Sequence, residues 1–301
     1  MPESTPEQVL LRLDWHVVRR LDGLLQGDYR SLFYGFGLDL ADLREYQPGD
    51  DVRYIDWNVT ARLGTPYVRQ YIEDREITAH FLIDLSPSVD YTTLGAPKRQ
   101  MLIDFVAVMA RLLTRHGNRV GAILYEGNAG RVVPARGGRL QVLRLINDLR
   151  ARPRPTGGPP TDLQPLFKTA ASALRRRSLV FVISDFYSVP GWEAALGVLG
   201  RRHEVLAVRL WDPHEMELPD IGPVFMEDAE TGEQVYVDTH DAGFRDRFKG
   251  AVGRREAALQ SAFRKVQVDV LSLATTDDLV QAILRFAMQR QKMGQGRGRV
   301  S

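Results

Sequence analysis

Asp84, Ser86 and Ser88 stand two residues apart at the end of the apolar run Ile77-Thr78-Ala79-His80-Phe81-Leu82-Ile83. In an extended segment alternate side chains point the same way, so one carboxylate and two hydroxyls can converge from one face. Hard oxygen donors of this kind suit Mg²⁺ or Mn²⁺ and suit zinc poorly. The same spacing also serves a capped turn ahead of a helix. A second apolar run, Leu179-Val180-Phe181-Val182-Ile183, is followed by Ser184 and an acid, Asp185. Open parallel sheets bind ligands at the carboxyl ends of their strands, which makes Asp84 and Asp185 candidates for one site.

The elements around these residues read as a doubly wound α/β pattern. Apolar positions at helical spacing predict helices over residues 6–26, 97–116, 140–150, 162–175, 192–201, 244–263 and 278–291. Between them, apolar runs predict strands over 77–83, 120–125, 131–133, 179–183, 204–210 and 266–273, and a hairpin over 224–237 that turns at Glu230-Thr231-Gly232. Strands alternating with helices imply a mostly parallel sheet with helices on both faces. The segment from Arg152 to Pro160 carries four prolines and two glycines, which excludes regular structure there and makes it a loop that delivers Thr161. Thr161 can face the site or cap the next helix; if Asp162 caps, Thr161 is free. Asp185 has a rival role as a strand-end cap.

The Asp-x-Ser-x-Ser turn on such a strand resembles the metal-ion-dependent adhesion site of the von Willebrand factor A family. The resemblance implies one divalent ion, Mg²⁺ or Mn²⁺, held by Asp84, Ser86, Ser88, Thr161 and Asp185. It also implies a coordination position kept for a carboxylate from a protein partner. A second, longer likeness runs through Gly35-Phe36-Gly37-Leu38-Asp39-Leu40-Ala41-Asp42-Leu43-Arg44-Glu45-Tyr46-Gln47-Pro48-Gly49-Asp50-Asp51-Val52-Arg53-Tyr54-Ile55-Asp56-Trp57 and on through Asn58-Val59-Thr60-Ala61-Arg62. This stretch is very similar to the motif of family 58 of the bacterial domains of unknown function, and the likeness extends from about Gly27 to about Met288. Proteins of that family are often encoded beside MoxR-type AAA+ ATPases. The resemblance therefore implies an adaptor or co-chaperone that acts with such an ATPase to remodel or activate a protein complex.

Within the motif stretch, Val52–Trp57 and Tyr67–Ile72 are expected as short strands around the Gln47-Pro48-Gly49-Asp50-Asp51 turn. Arg44, Glu45, Asp50, Asp51, Arg53, Asp56, Arg62 and Arg69 can tie an irregular loop to the sheet through ion pairs. Alternatively, Arg53, Arg62 and Trp57 form a recognition face. Tyr46, Pro48 and Gly49 complete the motif. The expected organisation is an N-terminal helix and β-rich segment over 1–76, a von Willebrand factor A-like domain over 77–291 and a basic disordered tail over 292–301.

Composition narrows the function classes. Hydrophobic content of 44% supports a sizeable core, and 26% charged residues fit a soluble chain. Cysteine is absent, which excludes thiolate metal sites and disulfides and fits a cytoplasmic setting. No signal peptide or membrane span is expected. Two rival functions are a Mg²⁺-dependent phosphohydrolase with Asp84 as nucleophile and a nucleic-acid binder using Arg175-Arg176-Arg177 and the tail. The first lacks the second carboxylate that haloacid-dehalogenase chemistry places two residues on, where Ser86 stands. The second lacks interleaved aromatics. No Walker A loop is present, so any ATP hydrolysis belongs to a partner.

Overall fold

The computed structural model describes residues 5–24, 42–48, 50–52, 55–70, 77–90, 98–127, 130–152 and 159–297. The chain opens with α1 (Pro6–Leu13), a π-helical turn (Asp14–Val18) and α2 (Arg19–Leu24). Next come β1 (Asp42–Glu45), α3 (Trp57–Leu63) and β2 (Tyr67–Gln70). The central strand β3 (Thr78–Asp84) is followed by the single turn α4 (Pro87–Asp90), then α5 (Lys98–Arg115), β4 (Arg119–Tyr125), β5 (Arg131–Arg136) and α6 (Arg139–Arg150). The second half consists of α7 (Gln164–Ala173), β6 (Leu179–Ser184), α8 (Trp192–Arg202), β7 (Glu204–Trp211), β8 (Pro223–Glu227), β9 (Gln234–Asp238), α9 (Ala242–Val266), β10 (Asp269–Ala274) and α10 (Leu279–Arg297).

Six strands form one sheet in the order β10-β7-β6-β3-β4-β5. All neighbours are parallel except β5, which runs antiparallel to β4 at the edge. The chain leaves β3 toward β4 on one side and returns to β6 on the other. That reversal is the topological switch at which doubly wound sheets open a ligand crevice, and Asp84 and Asp185 both lie at it.

Alternation along β3 and β6 separates two cores. Ala79, Phe81, Ile83 and Phe181 face one side, where Leu102, Phe105, Val106 and Met109 of α5 cover them together with α6 and α10. Leu82, Val180 and Val182 face the other side, under Phe167 of α7 and Trp192 and Leu196 of α8. Phe81 stacks on Phe181 at 5.1 Å, and Phe105 meets Phe181 edge-on at 5.9 Å. Val9, Leu10 and Leu13 of α1 belong to the first core, so the N-terminal helix packs into the same hydrophobic body as the sheet.

Three expectations are corrected. The tail does not begin at residue 292, because α10 continues to Arg297. The described residues among 52–57 form no strand: Ile55 makes a single bridge to Val68, and β2 pairs instead with β1, Asp42 opposite Gln70. The reason lies in Asp56, a buried residue whose carboxylate accepts from the amide of Val59 at 3.2 Å and caps α3. The last strand begins at Asp269 rather than Val266, because α9 continues to Val266 and stops where Gln267 turns left-handed at φ 56°.

His80 points into the second core beside His203. Nδ1 of His80 and both ring nitrogens of His203 have no hydrogen-bond partner among the described residues. Burial, helped by His203, lowers the His80 pKa to about 4. Because the folded value lies below the unfolded one, the unfolded chain binds more protons between these values and stability is lost as pH falls through the window. Full stability is present above about pH 6.5, and about 3 kcal/mol disappears on descending to pH 4. Urea unfolding of wild type and His80→Leu across this range checks the expectation: the substitution flattens the slope.

Candidate functional site

Asp84 ends β3 with a fully buried side chain. Its Oδ1 accepts from the amide of Ser86 at 2.9 Å, and its Oδ2 accepts from the hydroxyl of Ser184 at 2.6 Å. The tight turn after the strand then brings the Ser86 and Ser88 hydroxyls within 3.1 Å of each other. Ser88 also lies close enough to Asp185 to help lower its carboxyl pKa. Thus the first four residues singled out in the sequence form one buried network.

Asp185 follows β6, one residue past the level of Asp84. Its Oδ1 accepts from the amide of Tyr187 at 3.0 Å, so the strand-end cap also exists. The next residue, Phe186, is left-handed at φ 57°, an uncommon conformation for a bulky side chain. It is held by burial against Trp192 and Phe263, with ring centroids at 5.4 and 4.9 Å, and by its amide donating to Ser184 Oγ at 2.8 Å. This packing fixes the direction in which Asp185 leaves the strand.

Thr161 arrives on the loop before α7. Neither Thr161 nor Asp162 is the N-cap of α7, a position held by Leu163 without a side-chain cap; Asp162 Oδ1 closes a local turn by accepting from Gln164 N at 2.9 Å, while Leu163 N donates to Ser188 Oγ at 3.1 Å. The Tyr125 hydroxyl, at the end of β4, donates to the carbonyl of Asp162, and Val189 N donates to the carbonyl of Thr161 at 2.9 Å. The loop is therefore tied from two sides. The Thr161 hydroxyl does not cap the helix but donates to Oε2 of Glu230 at 2.7 Å, and Oε1 of the same Glu230 accepts from the amide of Ser88 at 3.3 Å.

Four groups in this network went unrecognised in the sequence: Ser184, Lys98, Glu215 and Glu230. Lys98, at the start of α5, is 1% exposed. Its ammonium donates to Asp185 Oδ2 at 2.7 Å and to Glu215 Oε1 at 2.6 Å. Each of these groups is 69 to 142 residues away from its partners, so no local spacing signals them. Ser184, adjacent to Asp185 at the end of a buried strand, carried the nearest thing to a clue.

The charges do not balance. Burial, then the charge of Asp185, raises the Asp84 carboxyl to about 7. Burial also pushes Asp185 upward, but the Lys98 ammonium outweighs it and holds Asp185 below the usual carboxylate range. Against the acids Asp84, Asp185, Glu215 and Glu230 stand the Lys98 ammonium, bonded to Asp185 and Glu215, and the Arg255 guanidinium, which feels the charges of Asp185 and Glu215. The donor set consists of hydroxyls and carboxylate oxygens, each with a lone pair to spare, and the Asp84–Asp185 repulsion is what a hard divalent cation relieves. These residues fit such an ion. No group of three Asp, Glu, His or Cys side chains able to hold a metal occurs among the described residues.

The family-motif segment lies apart from this network in its own two-stranded sheet. Arg44 makes a two-point pair with Asp50, at 2.7 and 2.6 Å, and Asp50 also accepts from the amide of Gln47 at 2.8 Å. This is part of the ion-pair network expected from the sequence. Glu45, Pro48 and Arg62 are exposed, Tyr46 and Asp51 half-buried, and Trp57 is 69% exposed. Gly49 and Arg53, also singled out above, lie outside the described residues, as do residues 153–158 of the loop before Thr161 and residues 298–301 of the tail.

The sheet order, the switch at β3 and β6 and the turn after β3 define a von Willebrand factor A-like α/β protein. Residues 42–258 match the family model described as protein of unknown function DUF58, and the chain belongs to that family. An uncharacterized protein of Mycobacterium tuberculosis H37Rv is 37% identical over 283 residues, covering 94% of this chain and 89% of that one. Among solved structures, an aerotolerance-related membrane protein from Bacteroides fragilis aligns with a TM-score of 0.48 at 15% identity, covering 72% of this chain and 99% of that one. The conserved hypothetical protein BatB from Bacteroides thetaiotaomicron aligns with a TM-score of 0.45 at 12% identity, covering 73% and 99%. No helix among the described residues is long and apolar enough to cross a membrane.

Proposed function

We propose that this chain is a protein-binding module that holds Mg²⁺ or Mn²⁺ at the Asp84 network and uses it to engage a carboxylate on a partner. The observation that carries the reading is the single buried network joining Asp84, Ser86, Ser88 and Asp185, with Thr161 joined to it through Glu230. Ser86, Ser88 and Thr161 would ligate directly through neutral hydroxyls. Asp84 and Asp185, already accepting hydrogen bonds from the protein, would contribute charge and orient bound water. A divalent ion so held supplies an electrophilic position for an outside carboxylate. Ser184 and Lys98 keep the two acids in place.

Binding is favoured over hydrolysis. A nucleophilic Asp84 would need an open approach to substrate, whereas its side chain is fully buried with both oxygens engaged. Family habit points to a MoxR-type AAA+ ATPase as collaborator, with the pair remodelling or activating another complex in the cytoplasm. Co-purification of the two proteins from co-expressing cells, with Mg²⁺ or with a chelator, tests the reading. The expected result is capture that needs Mg²⁺ and is lost in Asp84→Asn. Capture indifferent to both would place the contact elsewhere, on the exposed Trp57 face for example.

A further inference from the structure

The carboxylate of Glu230 stands where the proposed partner's carboxylate is required: against the hydroxyl of Thr161 and the amide of Ser88. We propose that Glu230 is an internal occupant of that position, so that the β8–β9 hairpin closes the site and a partner must displace it. The inference rests on the reading of the site given above.

The hairpin is built to present this side chain without depending on it. Asp228 Oδ1 accepts from the amides of Glu230 and Thr231 at 2.9 and 2.8 Å, and the Asp228 carbonyl accepts from Gly232 at 2.8 Å. The turn is therefore satisfied by Asp228 and leaves the Glu230 carboxylate free to reach outward. At the other end, the buried Thr239 pinches the base: its hydroxyl donates to the Gly222 carbonyl at 2.7 Å and accepts from Ile221 N at 3.0 Å. Between base and tip, β8 and β9 pair only with each other and join neither of the other sheets. Phe225, Val235 and Tyr236 are exposed at 73%, 51% and 62%. A lone two-stranded hairpin with so little burial is marginal by itself, and elements of this kind open locally at low free-energy cost. The construction is a firm base, a self-sufficient tip and a weakly held span, whose tip acid bridges two loops of the site.

The test is Mn²⁺ binding followed by water-proton relaxation on the full chain, comparing wild type with Glu230→Gln, with acetate in large excess as the carboxylate probe. If Glu230 fills the position, the Mn²⁺-loaded variant shows higher relaxivity than wild type because water replaces the lost oxygen. Acetate then lowers the variant's signal while leaving wild type unchanged. Asp228→Ala, which keeps Glu230 but loosens the turn that aims it, gives an intermediate response and guards against a folding artefact. Equal relaxivity and equal acetate response in all three proteins would overturn the proposal and leave the metal reading standing. Binding weakened by more than about tenfold in Glu230→Gln, with no acetate response, would make Glu230 a permanent ligand and also overturn it. Absence of Mn²⁺ binding in every form would sink the metal reading and this proposal together.

Discussion

The expected result of Asp84→Asn is Mg²⁺ and Mn²⁺ binding weakened by at least about 100-fold, or about 2.8 kcal/mol. The substitution suits the purpose because the surroundings accept it. Asn Oδ1 can take the Ser86 amide, and Asn Nδ2 can donate to Ser184 Oγ, a hydroxyl that rotates to accept. The metal-free protein should therefore keep its stability within about 1 kcal/mol. What vanishes is one of two buried negative charges, and a site whose direct donors are neutral hydroxyls depends on those charges for its affinity. Isothermal titration of both proteins, paired with thermal unfolding in chelator, reads the two effects separately. Undiminished binding in a folded variant would move the ion away from Asp84. Loss of binding accompanied by a large loss of stability would show that the side chain is structural first.

The second large effect falls on Lys98. Lys98→Met preserves length and apolar volume but strips Asp185 and Glu215 of their shared ammonium. Asp185 is then a buried carboxylate next to Asp84 without its hydrogen-bonded counter-charge, only the through-space charge of Arg255 remaining, and breaking a buried pair of this kind costs about 3 to 5 kcal/mol. The loss should be largest in chelator and smaller in Mg²⁺, because an ion bound only by the folded state stabilises it by mass action. Wild type, whose Asp185 is already neutralised, gains less from the same Mg²⁺. Urea unfolding of the two proteins with and without Mg²⁺ gives the four numbers needed. A cost below about 1 kcal/mol would mean that the acids simply take up protons and that Lys98 does not govern the charge of the site.

Much of this architecture is visible locally. The stripe of Leu102, Phe105, Val106 and Met109 specifies α5, which the structure bounds at Lys98–Arg115 against an expected 97–116. The hairpin turning at Glu230-Thr231-Gly232 is likewise present, with β8 and β9 on either side. Such elements depend on the spacing of apolar residues over a few turns or on the chemistry of a single bend. The failures share a cause. Residues 52–57 carry alternating character that fits a strand, yet the capping carboxylate of Asp56 and the pairing of β1 with β2 settle the matter, and that pairing joins residues 22 to 28 apart.

The sequence by itself determined the switch-point acids, the hydroxyl pair that follows Asp84 and the sheet that carries them, because each is encoded by neighbours in the chain. Only the tertiary structure decided that Thr161 turns to Glu230 rather than capping a helix, that Lys98 sits between Asp185 and Glu215, and that Glu230 reaches Thr161 and Ser88. Those contacts join residues brought together by the winding of β3 and β6 around the switch. Their energies come from burial of charge in a shared enclosure, a property of the folded body that no spacing along the chain expresses.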